Sequence, residues 1–179
     1  MITLPLERRV RGSNRYPAGR KFQTVGYAYI DDVDKDLSVY RWGLTIRRRK
    51  NGTDVRYAIR SIGAFSEKLY LHRIIGLRMG FHPSQDVDHI NSDGLVCCRW
   101  NLRPVNDAQN QANSRKRIGS SIFKGVSRHR MSGRWQAQIS KSGKPVHLGL
   151  ADTEEGAARL YDSAARATFG KYALLNFPD

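Results

Sequence analysis

Arg134-Trp-Gln-Ala-Gln-Ile-Ser140 alternates strictly. Trp135, Ala137 and Ile139 are apolar, and Arg134, Gln136, Gln138 and Ser140 between them are polar. A period of two places the first set on one face of a strand and the second on the other. Ser132-Gly133 before it and Ser142-Gly143 after it are turn pairs. They set off two further short strands, Phe123 to Arg128 and Pro145 to Leu150. Asp152-Thr-Glu-Glu155 is a capping-box pattern, and the helix it opens runs to about Phe169 and stops at Gly170. Ala157, Ala158, Ala164, Ala165 and Ala167 let that helix lie close on a sheet. The final third therefore reads β-β-β-α: a three-stranded antiparallel sheet packed on one helix.

Working outward, the 179 residues carry 31 Lys+Arg against 16 Asp+Glu, a net charge of +15. With 40% hydrophobic residues the chain is an ordinary globular sequence, so the charge excess points to a polyanionic partner. No apolar run has the length of a membrane span, and residues 1–21 lack the apolar segment of a secretory signal, which places the chain inside a cell. The two cysteines, Cys97 and Cys98, are adjacent and poorly placed for a disulfide, and without a Cys-x-x-Cys pair no structural zinc is expected.

Texture divides the chain into a basic, extended arm over 1–21, a mixed domain over 22–114, an exposed linker over 115–121 and the β-β-β-α domain over 122–179. In the mixed domain, Thr24 to Ile30, Trp42 to Arg47 and Asp54 to Ile59 read as strands, with a turn at Asn51-Gly52. Lys68 to Leu71 is a fourth short strand, and His72 to Met79 a helix ended by Gly80. Pro83 to Gly94 reads as loop, and Asn101 to Gln111 as a helix whose start Pro104 restricts.

Asp88-His89, followed by Asn91, Asp93, Asn101 and Asn110, has the parts of a phosphodiesterase. A neutral imidazole can take a proton from water, and a carboxylate with an amide oxygen can hold a hard cation against a phosphate. The same residue types also cluster in turns for backbone reasons, so composition leaves both readings open. Val87-Asp-His-Ile-Asn-Ser-Asp-Gly94, Arg99-Trp-Asn-Leu-Arg103 and Gln109-Asn-Gln-Ala-Asn113, with Tyr70-Leu-His-Arg73 upstream, resemble the HNH homing endonucleases in their HNN form. The resemblance implies an α+β fold with a ββα-metal nuclease domain. It makes His89 the general base, Asn110 its orienting partner, and Asp88 and Asn101 the ligands of one Mg²⁺ or Mn²⁺. It implies site-specific cleavage of double-stranded DNA and a phage or mobile-element setting, hence a bacterial cytoplasm. Arg73 and Arg103 would approach phosphate or pair with a local carboxylate.

The last third has its own resemblance. Phe123-Lys-Gly-Val126, Gly133-Arg-Trp-Gln-Ala137, His147-Leu-Gly149, Thr153-Glu-Glu-Gly-Ala-Ala158, Tyr161-Asp162 and Leu175-Asn-Phe-Pro178 are similar to the APETALA-two/ethylene-response-factor DNA-binding domain. By alternation Arg134, Gln136, Gln138 and Ser140 face outward beside Lys124, Arg128, Arg130 and Lys144, a face for phosphates and base edges or a solvated polar face. The likeness implies that the sheet lies in the major groove, with Lys124 at a DNA-contacting position and His147 at that of a usual Trp. Gln138, Ser140 and His147 depart from the family's usual residues, so a different target sequence is implied. Two functions follow: an HNH endonuclease targeted by its C-terminal module, or a non-catalytic DNA-binding regulator that keeps the nuclease fold as scaffold. An RNA-binding reading rests on charge alone.

Overall fold

The computed structural model describes residues 1–10, 22–48, 54–62, 67–114, 119–141 and 143–178. The chain forms two compact units, Met1–Arg49 with Asp54–Pro104, and Lys50–Thr53 with Val105–Asp179. The division falls at Pro104, upstream of the linker expected at 115–121.

In the first unit, strand β1 (Ile2–Arg9) pairs antiparallel with β2 (Phe22–Ile30), Leu4 opposite Ala28 and Ile2 opposite Ile30. This corrects the extended basic arm. Ile2, Leu4 and Leu6 alternate with Thr3 and Pro5, and Leu4 and Leu6 are fully buried. Residues 11–21, the remainder of that arm, lie outside the described residues, as does the expected Asn51-Gly52 turn. A 3-10 stretch (Asp32–Val39) follows, and the Leu37 carbonyl accepts from the indole Nε1 of buried Trp42 at 2.9 Å. Asp34, without solvent exposure, is gripped by Arg99 at 2.8 and 3.0 Å and by Arg78 at 3.2 Å. The Arg99 hydrogen bonds hold its carboxyl below the ordinary range, against the opposing effect of burial.

Strands β3 (Gly43–Arg48), β4 (Asp54–Ile62) and β5 (Glu67–Tyr70) form an antiparallel sheet in that order. Helix α1 (Leu71–Arg78) turns Leu71 and Ile75 into a core shared with Leu4, Leu6, Ile30, Trp42, Ala58, Cys97 and Leu102. The stretch expected as loop from Pro83 contains strand β6 (Asp86–His89), paired with β7 (Leu102–Val105). The helix expected over Asn101 to Gln111 is therefore corrected to a 3-10 turn (Arg99–Asn101), a strand and a short helix, α2 (Asp107–Ala112). Pro104 has no N–H for a helix interior and pushes the residue before it towards extended backbone. The helix starts later, at a capping box. The Asn106 side chain accepts from the Gln109 N–H at 2.9 Å, and Gln109 Oε1 accepts from the Asn106 N–H at 3.0 Å.

Helix α2 belongs to the second unit. There β8 (Val126–Arg128), β9 (Trp135–Lys141) and β10 (Lys144–Ala151) form an antiparallel sheet with β9 central, backed by α3 (Glu154–Phe169). The β-β-β-α order is the one read from the sequence. Val126, Ala137, Ala157 and Ala158 make one cluster of the core, and Ile139, Tyr161 and Ala165 another. The α3 N-cap is Thr153, whose hydroxyl accepts from the Gly156 N–H at 3.0 Å. Asp152, expected to cap, instead pairs with Arg134 at 2.7 Å.

The C-terminal segment closes this unit through buried Asp162. Its carboxylate accepts from the backbone N–H groups of Asn176 at 2.9 Å and Phe177 at 2.8 Å. Asn176 in turn holds the Lys124 backbone at both its N–H (2.6 Å) and its carbonyl (3.0 Å). Ser121 is buried and its hydroxyl accepts from the Phe123 N–H at 2.9 Å, while Ser120 accepts from Arg128 at 3.0 Å. These two residues belong to the folded unit rather than to an exposed linker. Residues 115–118 lie outside the described residues.

Candidate nucleic-acid interface

The constellation around Asp88-His89 comes together only in part. Asp88 and His89 end β6 and are both nearly buried. Asp88 Oδ2 accepts from two nitrogens of Arg103, at 2.9 and 2.8 Å, with the paired side chains only 10% and 12% exposed. Asn101 has no exposure. Its Oδ1 accepts from the Asn91 N–H at 3.0 Å, and its Nδ2 donates to Asn91 Oδ1 at 3.0 Å and to the Val96 carbonyl at 2.7 Å. The carboxamide thus braces the loop between the strands. The expected metal pair, Asp88 and Asn101, does not fit a divalent cation: the first is neutralised by a guanidinium and the second is consumed by backbone and Asn91. Among the described residues, no group of three or more His, Cys, Asp or Glu side chains is placed to hold a metal ion.

His89 likewise does not face solvent. Its ring lies 4.9 Å from that of His72 and 6.1 Å from that of Tyr57, and Nε2 is 3.8 Å from Cys97 Sγ. Burial lowers its pKa to about 4 against the opposing charges of Asp88 and Asp93, and burial lowers that of His72 to about 3. Asn110, the expected orienting partner, is exposed on α2 and belongs to the second unit, whereas His89 belongs to the first. Arg103, expected at phosphate, is committed to Asp88, and Arg73 is paired with Asp86 at 2.8 Å.

In the second unit the cross-strand register decides what faces outward, because directly opposed residues share a face. Ala137 and Ile139 point into the core, with Trp135 half-buried beside them. The alternate residues therefore form the outer face. Gln136 stands between Ser127 and Leu150, Gln138 opposite His147, and Ser140 opposite Pro145. A bulge between His147 and Gly149 shifts the register by one residue, so that Leu148 joins the core and Leu150 comes opposite Gln136. Gln138 and His147 sit side by side with amide and imidazole groups directed away from α3. Ser127 was missed in the sequence, since its place depends on pairing across the Ser132-Gly133 turn.

The expected cations divide. Arg130 and Lys144 are exposed, Lys144 opposite Lys141 at the hairpin end. Arg134 is exposed and ion-paired with Asp152. Arg128 stands opposite Trp135, hence on the α3 side of the sheet. Its guanidinium lies 4.4 Å from the indole and donates to the Gly133 carbonyl, which corrects its assignment to the outer face. Lys124 is corrected too. Its ammonium turns inward to donate to the Ala112 carbonyl, 6.0 Å from the Tyr161 ring, and desolvation lowers its pKa to about 8 despite Asp162 nearby. The Leu174 N–H donates to the same carbonyl at 3.1 Å, so Lys124 tethers α2 to the sheet.

No protein-family model matches the chain. Curated relatives from Arabidopsis thaliana include the ethylene-responsive transcription factor WRI1, 45% identical over 69 residues, covering 33% of this chain and 16% of that protein. The AP2-like ethylene-responsive transcription factor AIL7 is 48% identical over 61 residues, covering 33% and 12%, and the AP2-like factor ANT is 46% identical, covering 33% and 11%. The chain spans between 10% and 23% of the length of such relatives. These relatives are transcription factors. They overturn the expectation of an HNH endonuclease, and neither they nor the geometry around Asp88 supports a ββα-metal domain. A phage setting finds no support in plant proteins. None of the helices among the described residues is long and apolar enough to cross a membrane. What the comparisons and the β-β-β-α unit support together is an AP2/ethylene-responsive-factor-like domain in one third of the chain.

Proposed function

We propose that this protein is a non-catalytic, sequence-specific regulator that binds double-stranded DNA through the outer face of the β8–β9–β10 sheet. The observation that carries this reading is the row of Ser127, Gln136, Gln138, Ser140 and His147 on a face with no role in the core, in a chain of which one third is similar to transcription factors. A glutamine can engage adenine at N6 and N7 at once, and a side-by-side Gln138 and His147 can read adjacent positions. Arg130, Arg134, Lys141 and Lys144 lie at the ends of the strands, where they would meet phosphates and fix register rather than sequence. Affinity then comes chiefly from phosphate contacts and falls steeply with salt.

The test is selection of bound duplexes from a random pool with the full chain, followed by binding titrations of Gln138→Ala on the selected duplex and its single-base variants. Loss of one bidentate contact should cost about 1–3 kcal/mol and relax preference at one position. Selection that converges on no sequence, or a Gln138→Ala variant with the full preference intact, would overturn the reading.

A further inference from the structure

The charge excess is not confined to the second unit. The first unit carries 18 Lys+Arg against 10 Asp+Glu, the second 13 against 6. Within the first unit the carboxylates are drawn towards particular arginines. Glu7 holds Arg41, Asp34 and Asp36 hold Arg78, Asp34 also holds Arg99, Asp86 holds Arg73 and Asp88 holds Arg103. Of the described cations left without an ion pair, Arg8, Arg9, Lys35, Arg60 and Lys68 stand elsewhere in the unit, and three collect on one element.

That element is the far end of the β3–β4 pair. Leu44 and Ala58 stand opposite each other as the last row of the described ladder with a buried side chain, and Tyr57 in the row after it still packs against His72 and His89. Beyond it the strands run on as a ladder of Thr45 with Tyr57, Ile46 with Arg56, Arg47 with Val55 and Arg48 with Asp54. Among the described residues no side chain beyond that row is buried, and Ile46 is 50% exposed. Arg47, Arg48 and Arg56 are exposed, and none of them forms an ion pair among the described residues, even though Asp54 stands opposite Arg48. Arg48 and Arg56 point to one face and Arg47 to the other, by the period of two.

Guanidiniums on both faces of a two-stranded ribbon that form no ion pair among the described residues gain nothing for folding from their charge. The ribbon's width matches what the major groove of B-DNA admits, and arginines on both faces can reach the phosphates on either side of a groove. We infer that the β3–β4 ribbon is a second DNA-contacting element, a phosphate-binding arm that acts in addition to the C-terminal sheet. The inference rests on the DNA-binding function proposed above. Its role is affinity and positioning, while base preference stays with the sheet of the second unit.

The experiment uses the full chain and Arg47→Gln/Arg48→Gln/Arg56→Gln, with binding to the selected duplex and to an unrelated duplex followed across a salt series. Each lost phosphate contact should make the slope of log K against log salt shallower by about 0.9. The triple variant should therefore flatten the slope by about 2–3. It should weaken binding to both duplexes alike and leave their ratio unchanged. A wild-type slope in the triple variant overturns the ribbon's role and leaves the proposed function standing. Weakening confined to the selected duplex also overturns it, since phosphate contacts are blind to sequence. If duplex RNA of the same length competes better than DNA with the wild type but not with the variant, the partner assigned to the ribbon is wrong. A wild-type chain without affinity for DNA removes both readings together. Should the triple variant melt below the wild type, Arg47→Gln alone serves, with an expected flattening of about 1.

Discussion

Gly125→Ala should unfold the second unit and remove sequence-specific DNA binding with it. Gly125 has φ +74°, in the left-handed region that a side chain disfavours by about 1–2 kcal/mol. A Cβ there would also enter the ring of Tyr161, overlapping Cδ2, Cε2 and Cγ at once. That ring is buried in the core beneath the sheet, packed with Ile139 and Ala165. Overpacking of this kind costs about 1–3 kcal/mol or more. Together the two effects reach about 2–5 kcal/mol, a large fraction of the stability of a small domain. Thermal or urea unfolding followed by Trp135 fluorescence should show the second unit melting first in the variant. Gly133→Ala is a useful comparison. Gly133 shares the left-handed backbone, with φ +67°, but a Cβ there meets nothing within 4 Å, so only the backbone penalty should appear. Equal stability of Gly125→Ala and wild type would show that Tyr161 is not locked where the core places it.

Acid should unfold the first unit well before the second. His72 and His89 face each other in a pocket lined by Tyr57 and Tyr70, with Cys97 against His89 and Arg73 adjoining His72. His72 Nδ1 is buried without a hydrogen-bond partner. Both imidazoles are held neutral, with folded pKa values of about 3 and about 4. The unfolded chain takes up protons at an ordinary histidine pKa near 6.5, before the folded chain does. Their contribution is therefore complete above about pH 6.5 and is lost progressively as pH falls towards 4 and then 3. The shift of His89 alone corresponds to about 3 kcal/mol. His89→Phe keeps the ring volume and removes that proton site, so its stability should decline less between pH 6.5 and 4. Unfolding followed by near-ultraviolet circular dichroism across that range checks this. An identical pH dependence in His89→Phe would contradict the assignment of the acid-labile charge to the histidine pair.

The second unit was the more legible half of the chain. Its strands alternate with a clean period of two, its turns carry Ser-Gly, and its helix is marked by a capping residue and by glycine at position 170. The error at the cap was one of register: Asp152 and Thr153 are both good N-caps, and the pairing of Asp152 with Arg134 across the chain decides for Thr153. Strand β1 was hidden because Arg8 and Arg9 follow a short alternation, and its partner β2 lies some twenty residues away. The site residues were harder, because spacing in sequence says nothing about who is already engaged. Asp88 and Asn101 have the right chemistry for a cation, but Arg103 donates to Oδ2 of Asp88 and the Asn91 N–H to Oδ1 of Asn101. Lys124 belongs to a basic surface by composition and turns inward only because α2 brings the Ala112 carbonyl to it. Gln136 and Gln138 could be placed outward from the alternation alone. His147 follows from the hairpin pairing of Lys144 with Lys141, and it is Leu150, beyond the bulge in β10, whose place opposite Gln136 could not be read from the alternation.

The most direct measurement is amide chemical-shift mapping of the full, isotopically labelled chain titrated with its selected DNA duplex. The sheet-face reading predicts that the largest shifts fall on Ser127, Gln136, Gln138, Ser140 and His147 and their strand neighbours, and that Ala157, Ala158 and Ala165 on the buried side of α3 stay nearly still. Shifts centred on α3, or spread evenly over the basic surface with no preference for β9 and β10, would contradict it.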